Sequence, residues 1–286
     1  MGFDDLTTPS GHRREIPGGS ALYFSLAARR FCDVRVSAVI GADGAPLLEI
    51  LDRAHVDRSA VDQLPGATYR WRVEHHPTDE VPLSEEQQLG VYLDWCPDLP
   101  TVARSSEILF LGSMHPTRQL EILNQCPGAQ LVALDTMRDF INSHRRELDQ
   151  LLLRTAMLFA NESELRALLP SPGTKLLGVA GEAVARWNLR TVILKLGAQG
   201  AVVVTPDGAS EYPAADGPAV VDPTGAGDAL AGGLLGRLAQ LGSTETDAIE
   251  HAMTTGAAAA RAAISAFGAR GLTGGQTRSF DRPGSP

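Results

Sequence analysis

Short apolar runs alternate with amphipathic stretches along most of the chain. VRVSAVIG from Val34, EILFLG from Glu107, QLVALD from Gln130 and TVILKLG from Thr191 are near-continuous apolar segments of strand length, the pattern of strands covered on both faces. Between them, the spacing predicts helices over Gly19 to Arg30, Pro116 to Asn124, Glu162 to Leu169 and Gly178 to Trp187. Strand and helix in alternation predict a mostly parallel sheet with helices on both faces. Two regions break the rhythm: TTPSGHRREIP near the start, and Ala67 to Trp95, which holds ATYRWRVEHH and QLGVYLDW. Both read as hairpin strands of a small, half-exposed sheet, placed as a lid over the carboxyl edge of the main one. The tail GLTGGQTRSFDRPGSP has few apolar residues, and loose order is expected at its end.

Composition narrows the class without naming a chemistry. With 286 residues, 43% hydrophobic and 21% charged, the chain suits a folded protein of one large α/β domain or two small ones, and length alone does not choose. A net charge of −9 leaves no broad basic face for nucleic acid or an anionic membrane, so any phosphate must be held locally. Cys32, Cys96 and Cys126 stand apart without a C-x-x-C pair, which suits reduced thiols in a cytoplasmic protein. Neither a signal-peptide pattern nor an apolar run of membrane-spanning length is expected from this sequence.

The chemistry concentrates in VVDPTGAGDALAGGLLGRLAQLG, Val220 to Gly242. Thr224, Gly225, Ala226 and Gly227 leave backbone N–H groups unobstructed where a helix begins, and orphan donors together with the helix dipole attract an anion there. Asp228 follows within the first turn, where the positive end of the dipole favours an ionised proton acceptor. A phosphate cradle beside a carboxylate base points to phosphoryl transfer, in which positioning and electrostatics carry most of the reaction. The alternative is a tight turn whose small residues serve packing, with Asp228 complementing the dipole.

The string DPTGAGDALAGGLL resembles the C-terminal signature of the ribokinase-like (PfkB) carbohydrate kinases, and further matches follow in order over nearly the whole chain. The resemblance implies a single domain over 1–286, a ribokinase-like three-layer αβα sandwich with a mostly parallel central sheet and a small β lid, here about 5–16 and 67–95. It implies ATP, Mg2+ and a monovalent cation such as K+ as cofactors, a small polyol substrate, and a homodimer through the lid. PGGSALYFSLAARR resembles the family's Gly-Gly motif, with Gly18 and Gly19 under the substrate. Asp4 matches the acid that accepts from substrate hydroxyls, with Asp5 as its competitor. LFANESELRALL resembles the N-x-x-E motif, whose Asn161 and Glu164 organise magnesium and phosphate; the same pair reads equally well as a capping box. VILKLGAQGAVVV makes Lys195, Gly197 and Gly200 nucleotide-binding candidates with Thr224, and GAAAARAA adds Gly256 beside the adenine; a hairpin turn and plain helix packing are the competing readings. LDTMRDF partly resembles D-x-N-x-R, making Arg138 a substrate candidate that could instead pair with Asp135.

Some positions depart from the family pattern. Tyr23 stands where the ribokinase branch has asparagine, which would exchange a sugar contact for an aromatic floor, and only Met1, Gly2 and Phe3 precede Asp4 where a buried strand is usual. His75 and His76 lack a third ligand at a recognised spacing and read as solvated lid residues. The expected activity is therefore ATP-dependent phosphorylation of a sugar or sugar-like polyol with Asp228 as base. A nucleoside or cyclitol kinase of the same family is the near alternative, and a non-catalytic sensor of sugars or nucleotides the distant one.

Overall fold

The structure is a computed structural model that describes residues 1–75 and 84–274. His76 and the part of the tail beyond residue 274 lie outside the described residues. The chain divides into two compact units, Met1–Trp95 with Asp216–Pro286, and Cys96–Ala215.

The first unit opens with β1 (Gly2–Thr8), β2 (Gly11–Gly18) and α1 (Ser20–Ala28). It continues through β3 (Arg35–Ile40), α2 (Ala45–Arg53), β4 (Asp57–Gln63), β5 (Arg70–Glu74) and β6 (Ser84–Gln88). The second unit runs from α3 (Thr101–Arg104) through β7 (Ile108–Leu111), α4 (Pro116–Gln125) and β8 (Leu131–Asp135). Next come α5 (Arg138–Ser143), α6 (Arg145–Leu152), β9 (Met157–Asn161), α7 (Glu162–Leu168) and α8 (Leu176–Trp187). It ends with β10 (Thr191–Lys195), β11 (Ala201–Thr205) and β12 (Gly208–Tyr212), after which α9 (Ala226–Leu241), α10 (Thr246–Ala263) and α11 (Arg270–Thr273) complete the first unit.

The second unit is built on a six-stranded sheet in the order β12-β11-β10-β9-β8-β7. Strands β7 to β10 are parallel, and β11 and β12 are antiparallel additions. β8, β9 and β10 are buried along nearly their whole length, which is why the sequence shows them as unbroken apolar runs rather than alternating ones.

In the first unit β2, β1, β5 and β6 form one four-stranded sheet, with β1 and β5 parallel. Leu6, Ile16 and Val73 cluster with Phe267, and Trp71 and Val221 pack against them. QLGVYLDW is not the partner strand expected from its pattern: β5 pairs with Ser84–Gln88, and Gly90–Tyr92 form a 3-10 turn. The physical reason lies at Gly90, whose φ of 52° leaves the strand region and where an added Cβ would overlap the carbonyl oxygen of Ala67, so no side chain fits. The polar SEEQQ segment suits an exposed edge, where charge discourages further pairing.

α9 packs between α1 and α10. Gly236 allows the approach of α1, since an added Cβ would stand 2.9 Å from Ala28 Cα. β3 and β4 form a separate parallel pair. Among the described residues no helix is long and apolar enough to cross a membrane, and Cys32, Cys96 and Cys126 are free thiols.

Candidate active site

The loop that enters α9 is held from several sides. Asp222 is buried; its Oδ1 accepts the Thr224 N–H at 3.0 Å and its Oδ2 accepts the Gly268 N–H at 2.9 Å. Thr8 Oγ1, at the end of β1, donates to the Val221 carbonyl at 2.9 Å. Gly225 then takes a left-handed conformation with φ 76°, and a side chain there would overlap the ring of Tyr23. Glycine is required twice over at this position, by dihedral and by contact. The Ala226 N–H turns back to the Pro223 carbonyl at 3.4 Å, whereas the N–H groups of Gly225 and Gly227 have no partner among the described residues. At the head of a 16-residue helix such donors form an anion site.

Asp228 lies half-buried in the first turn of α9, and Ser20 Oγ donates a hydrogen bond to its Oδ1. Ser20 begins α1 directly after Gly18 and Gly19, and Gly19 has φ 90° as the N-cap. Gly18 lies against Asp4 so closely that a Cβ would overlap the carboxyl group. Asp4 is buried with its Oδ2 unpartnered among the described residues. Burial pushes its carboxyl up to about 8, and the carboxylates of Asp222, Asp228 and Asp5 push the same way against the opposing N-terminal amine. Near neutrality this group keeps its proton, so it can donate a hydrogen bond as well as accept one. Asp5 sits on the opposite face of β1, where its Oδ1 accepts the Glu15 N–H at 2.9 Å. Tyr23 is buried beneath Gly225, its hydroxyl is unpartnered among the described residues, and burial followed by Asp4, Asp222 and Asp228 drives its pKa well above the ordinary value. The ring therefore supports the loop from below.

In the second unit, Asp135, Asn161 and Lys195 close β8, β9 and β10 at their C-terminal ends, the edge at which open parallel sheets bind ligands. Lys195 Nζ lies 3.0 Å from both Asp135 oxygens and 3.8 Å from Glu164 Oε2. Asn161 Oδ1 accepts the Glu164 N–H at 2.9 Å while Glu164 Oε2 accepts the Asn161 N–H at 2.8 Å, a complete capping box on α7. With those oxygens engaged, the pair fits a magnesium ion held through water better than by direct ligation, the usual habit of Mg2+ beside phosphates. Among the described residues no cluster of three or more His, Cys, Asp or Glu side chains could hold a metal. Gly197 (φ 54°) and Gly200 (φ 94°) bracket the turn between β10 and β11. Arg138 is exposed at the first residue of α5, and the partner of Asp135 is Lys195.

A sequence profile described as "pfkB family carbohydrate kinase" matches residues 84–273. The chain belongs to the PfkB family. This PfkB protein is 28% identical over 243 residues to the cytidine kinase of Thermococcus kodakarensis, covering 82% of the chain and 84% of that relative. The aminoimidazole riboside kinase of Salmonella enterica, solved with aminoimidazole riboside and an ATP analogue, superposes with a TM-score of 0.76 at 22% identity, over 95% of this chain and 94% of that one. An E. coli structure described as a ribokinase II, in complex with ATP and Mg2+, gives 0.75 at 18% identity, over 95% and 92% of the two chains. The fold is ribokinase-like.

Within the first unit, the PfkB signature loop comes together with Asp4, Gly18, Gly19 and Tyr23. Within the second, Lys195 meets Glu164 and Asn161. Gly256 is buried in the contact of α10 with α9, where an added Cβ would stand 2.8 Å from the Leu230 carbonyl, so its small size has a packing cause. Sequence reasoning missed Ser20, Asp222 and the contact of His75. His75 follows β5 half-buried, with Nε2 3.1 Å from Thr224 Oγ1. Asp222 carried a readable signal, since an Asx residue two positions before Thr224 can hold that residue's N–H.

Proposed function

We propose that this protein transfers the γ-phosphoryl group of ATP to a hydroxyl of a sugar-like acceptor, with Asp228 accepting the hydroxyl proton. One observation carries the reading: a carboxylate fixed by Ser20 stands on the same helical turn as the unpartnered N–H groups of Gly225 and Gly227. Gly225, Ala226 and Gly227 would stabilise charge on the transferring oxygens in a loose transition state. Asp4, Gly18, Gly19 and Arg138 would bind the acceptor, and Tyr23 would hold the loop from beneath. Lys195, Gly197, Gly200 and Thr224 would serve the nucleotide, with Gly256 acting through the closeness of α10 to α9. Mg2+ would neutralise phosphate charge when bound, and Asn161 and Glu164 are the residues to hold its water shell. In this reading residues 1–286 work as one cytoplasmic kinase domain, with segments about 5–16 and 67–95 as its lid and as a dimer surface.

Among acceptors we favour a nucleoside, because the relatives named for cytidine and aminoimidazole riboside both present a ribosyl hydroxyl. A coupled assay of ADP release across nucleosides, free pentoses and hexoses, and cyclitols separates these classes, with K+ against Na+ as a second variable. Asp228→Asn should keep the fold by circular dichroism and lose acceptor-dependent ADP release. Thermal stabilisation by ligands with no ATP consumption by the unaltered protein would instead indicate a sensor, and sedimentation measures the dimer.

A further inference from the structure

Resting on the reading of residues 224–228 as the phosphate-facing loop, we propose that His75 is a positioning residue for the reaction, acting through Thr224. Its pattern in the sequence suggests a solvated ring on a lid strand, whereas the structure places it half-buried with Nε2 3.1 Å from Thr224 Oγ1. Thr224 is thereby held at both ends: its N–H by Asp222 Oδ1 at 3.0 Å, its hydroxyl by His75. The next residue is Gly225, whose N–H is one of the unpartnered donors. Any rotation of Thr224 is passed directly to that donor, and displacement by about 1 Å is enough to cost a catalytic constellation much of its rate.

The element that presents His75 is itself anchored. Val73, two residues earlier, packs with Leu6, Ile16 and Phe267, and Val221 of the loop joins the same cluster. Trp71 meets the His75 ring edge-on, with centroids 6.3 Å apart, and its Nε1 donates to Glu85 Oε1 at 2.7 Å. Thr8 ties β1 to Val221. The four-stranded sheet and the loop are thus joined at Val221 and again at Thr224, and the second join is the one adjacent to the donors. Burial lowers the pKa of His75 while the carboxylates of Asp222 and Glu85 oppose it. A neutral ring suffices for the hydrogen bond, because the Thr224 hydroxyl can donate to Nε2 or accept from it.

The test is steady-state kinetics of the full chain with the best acceptor from the screen. His75→Ala should lower kcat about tenfold, the scale of one lost hydrogen bond, with acceptor KM changed by less than about twofold. His75→Gln, whose amide can still reach the Thr224 hydroxyl, should recover most of the rate. Thr224→Val should match His75→Ala, and the double variant should be no slower than either single one, as expected for two partners of one interaction. Unchanged kcat in His75→Ala, or losses that multiply in the double variant, overturns the proposal. Should His75→Ala fail to fold, His75→Gln and Thr224→Val decide: a slow Gln variant beside a fully active Val variant overturns it. Asp228→Asn separates the two readings. If that variant stays active the base assignment fails, whereas its loss beside an unaffected His75→Ala sinks only the role of His75.

Discussion

The ring of Tyr23 lies directly beneath Gly225, so close that a single methyl group on the glycine would overlap it. The left-handed φ of 76° adds backbone strain for any side chain. Gly225→Ala should therefore push the loop off its ring support and cut acceptor-dependent ADP release by about 100-fold or more, with a lowered melting temperature. Tyr23→Phe is the companion variant: it keeps the ring and removes a buried hydroxyl that has no partner among the described residues. Its melting temperature should equal or exceed that of the parent, because deleting an unsatisfied polar group removes a desolvation cost.

Ser20 Oγ holds Oδ1 of Asp228 through a donated hydrogen bond. Removing the hydroxyl would let the carboxylate rotate, so Ser20→Ala should lower kcat by about tenfold while changing the KM for ATP little. Ser20→Thr, which keeps a donor at the same atom, should restore most of the rate. A kcat equal to the parent in Ser20→Ala would show that packing alone fixes Asp228.

Lys195 compensates a buried acid. Its Nζ bridges both oxygens of Asp135, whose side chain is 6% exposed, and approaches Glu164. Lys195→Met would leave Asp135 buried without its partner, a change that costs about 3 kcal/mol or more. At roughly 2–4 °C per kcal/mol for a chain of this size class, thermal denaturation should show a clear drop. Adding Asp135→Asn should recover part of it, since no charge then needs a partner. An unaltered melting temperature for Lys195→Met would mean that the pair contributes nothing to folding.

What could be read in the sequence is what local chemistry determines. β8 and β10 declared themselves because burial on both faces leaves no polar position to blur them. The signature loop was legible because Gly225, Gly227 and Asp228 perform their roles within one turn of chain. β4 was invisible: its DRSAVDQ segment is mostly exposed and carries no alternation. Asp135 looked like a partner for Arg138, three residues on, and pairs instead with Lys195, 60 residues away. Ser20 reaches Asp228 across 208 residues and His75 reaches Thr224 across 149, so neither contact exists until the fold brings the segments together. Periodicity cannot report such pairs.

His115 supplies the pH dependence. It is the N-cap of α4, and its Nδ1 accepts the Thr117 N–H at 3.3 Å. Protonation would put a hydrogen on that atom and delete the cap. Burial lowers the pKa of this imidazole from its ordinary 6.5, and His144, whose ring centroid is 4.1 Å away, and Arg118 lower it further against Glu147 and Glu121. The unfolded chain consequently binds the proton more tightly than the folded one, so stability contributed by neutral His115 is complete above 6.5 and lost as pH falls through that value towards the lower folded pKa. His115→Asn caps the helix without titrating in this range. Between about pH 7.5 and 5.5 the melting temperature of the parent should fall relative to His115→Asn by roughly 2–4 °C, the equivalent of one cap. Parallel curves for the two proteins would exclude His115 as the titrating group and leave its ring as a purely steric filler between α4 and His144.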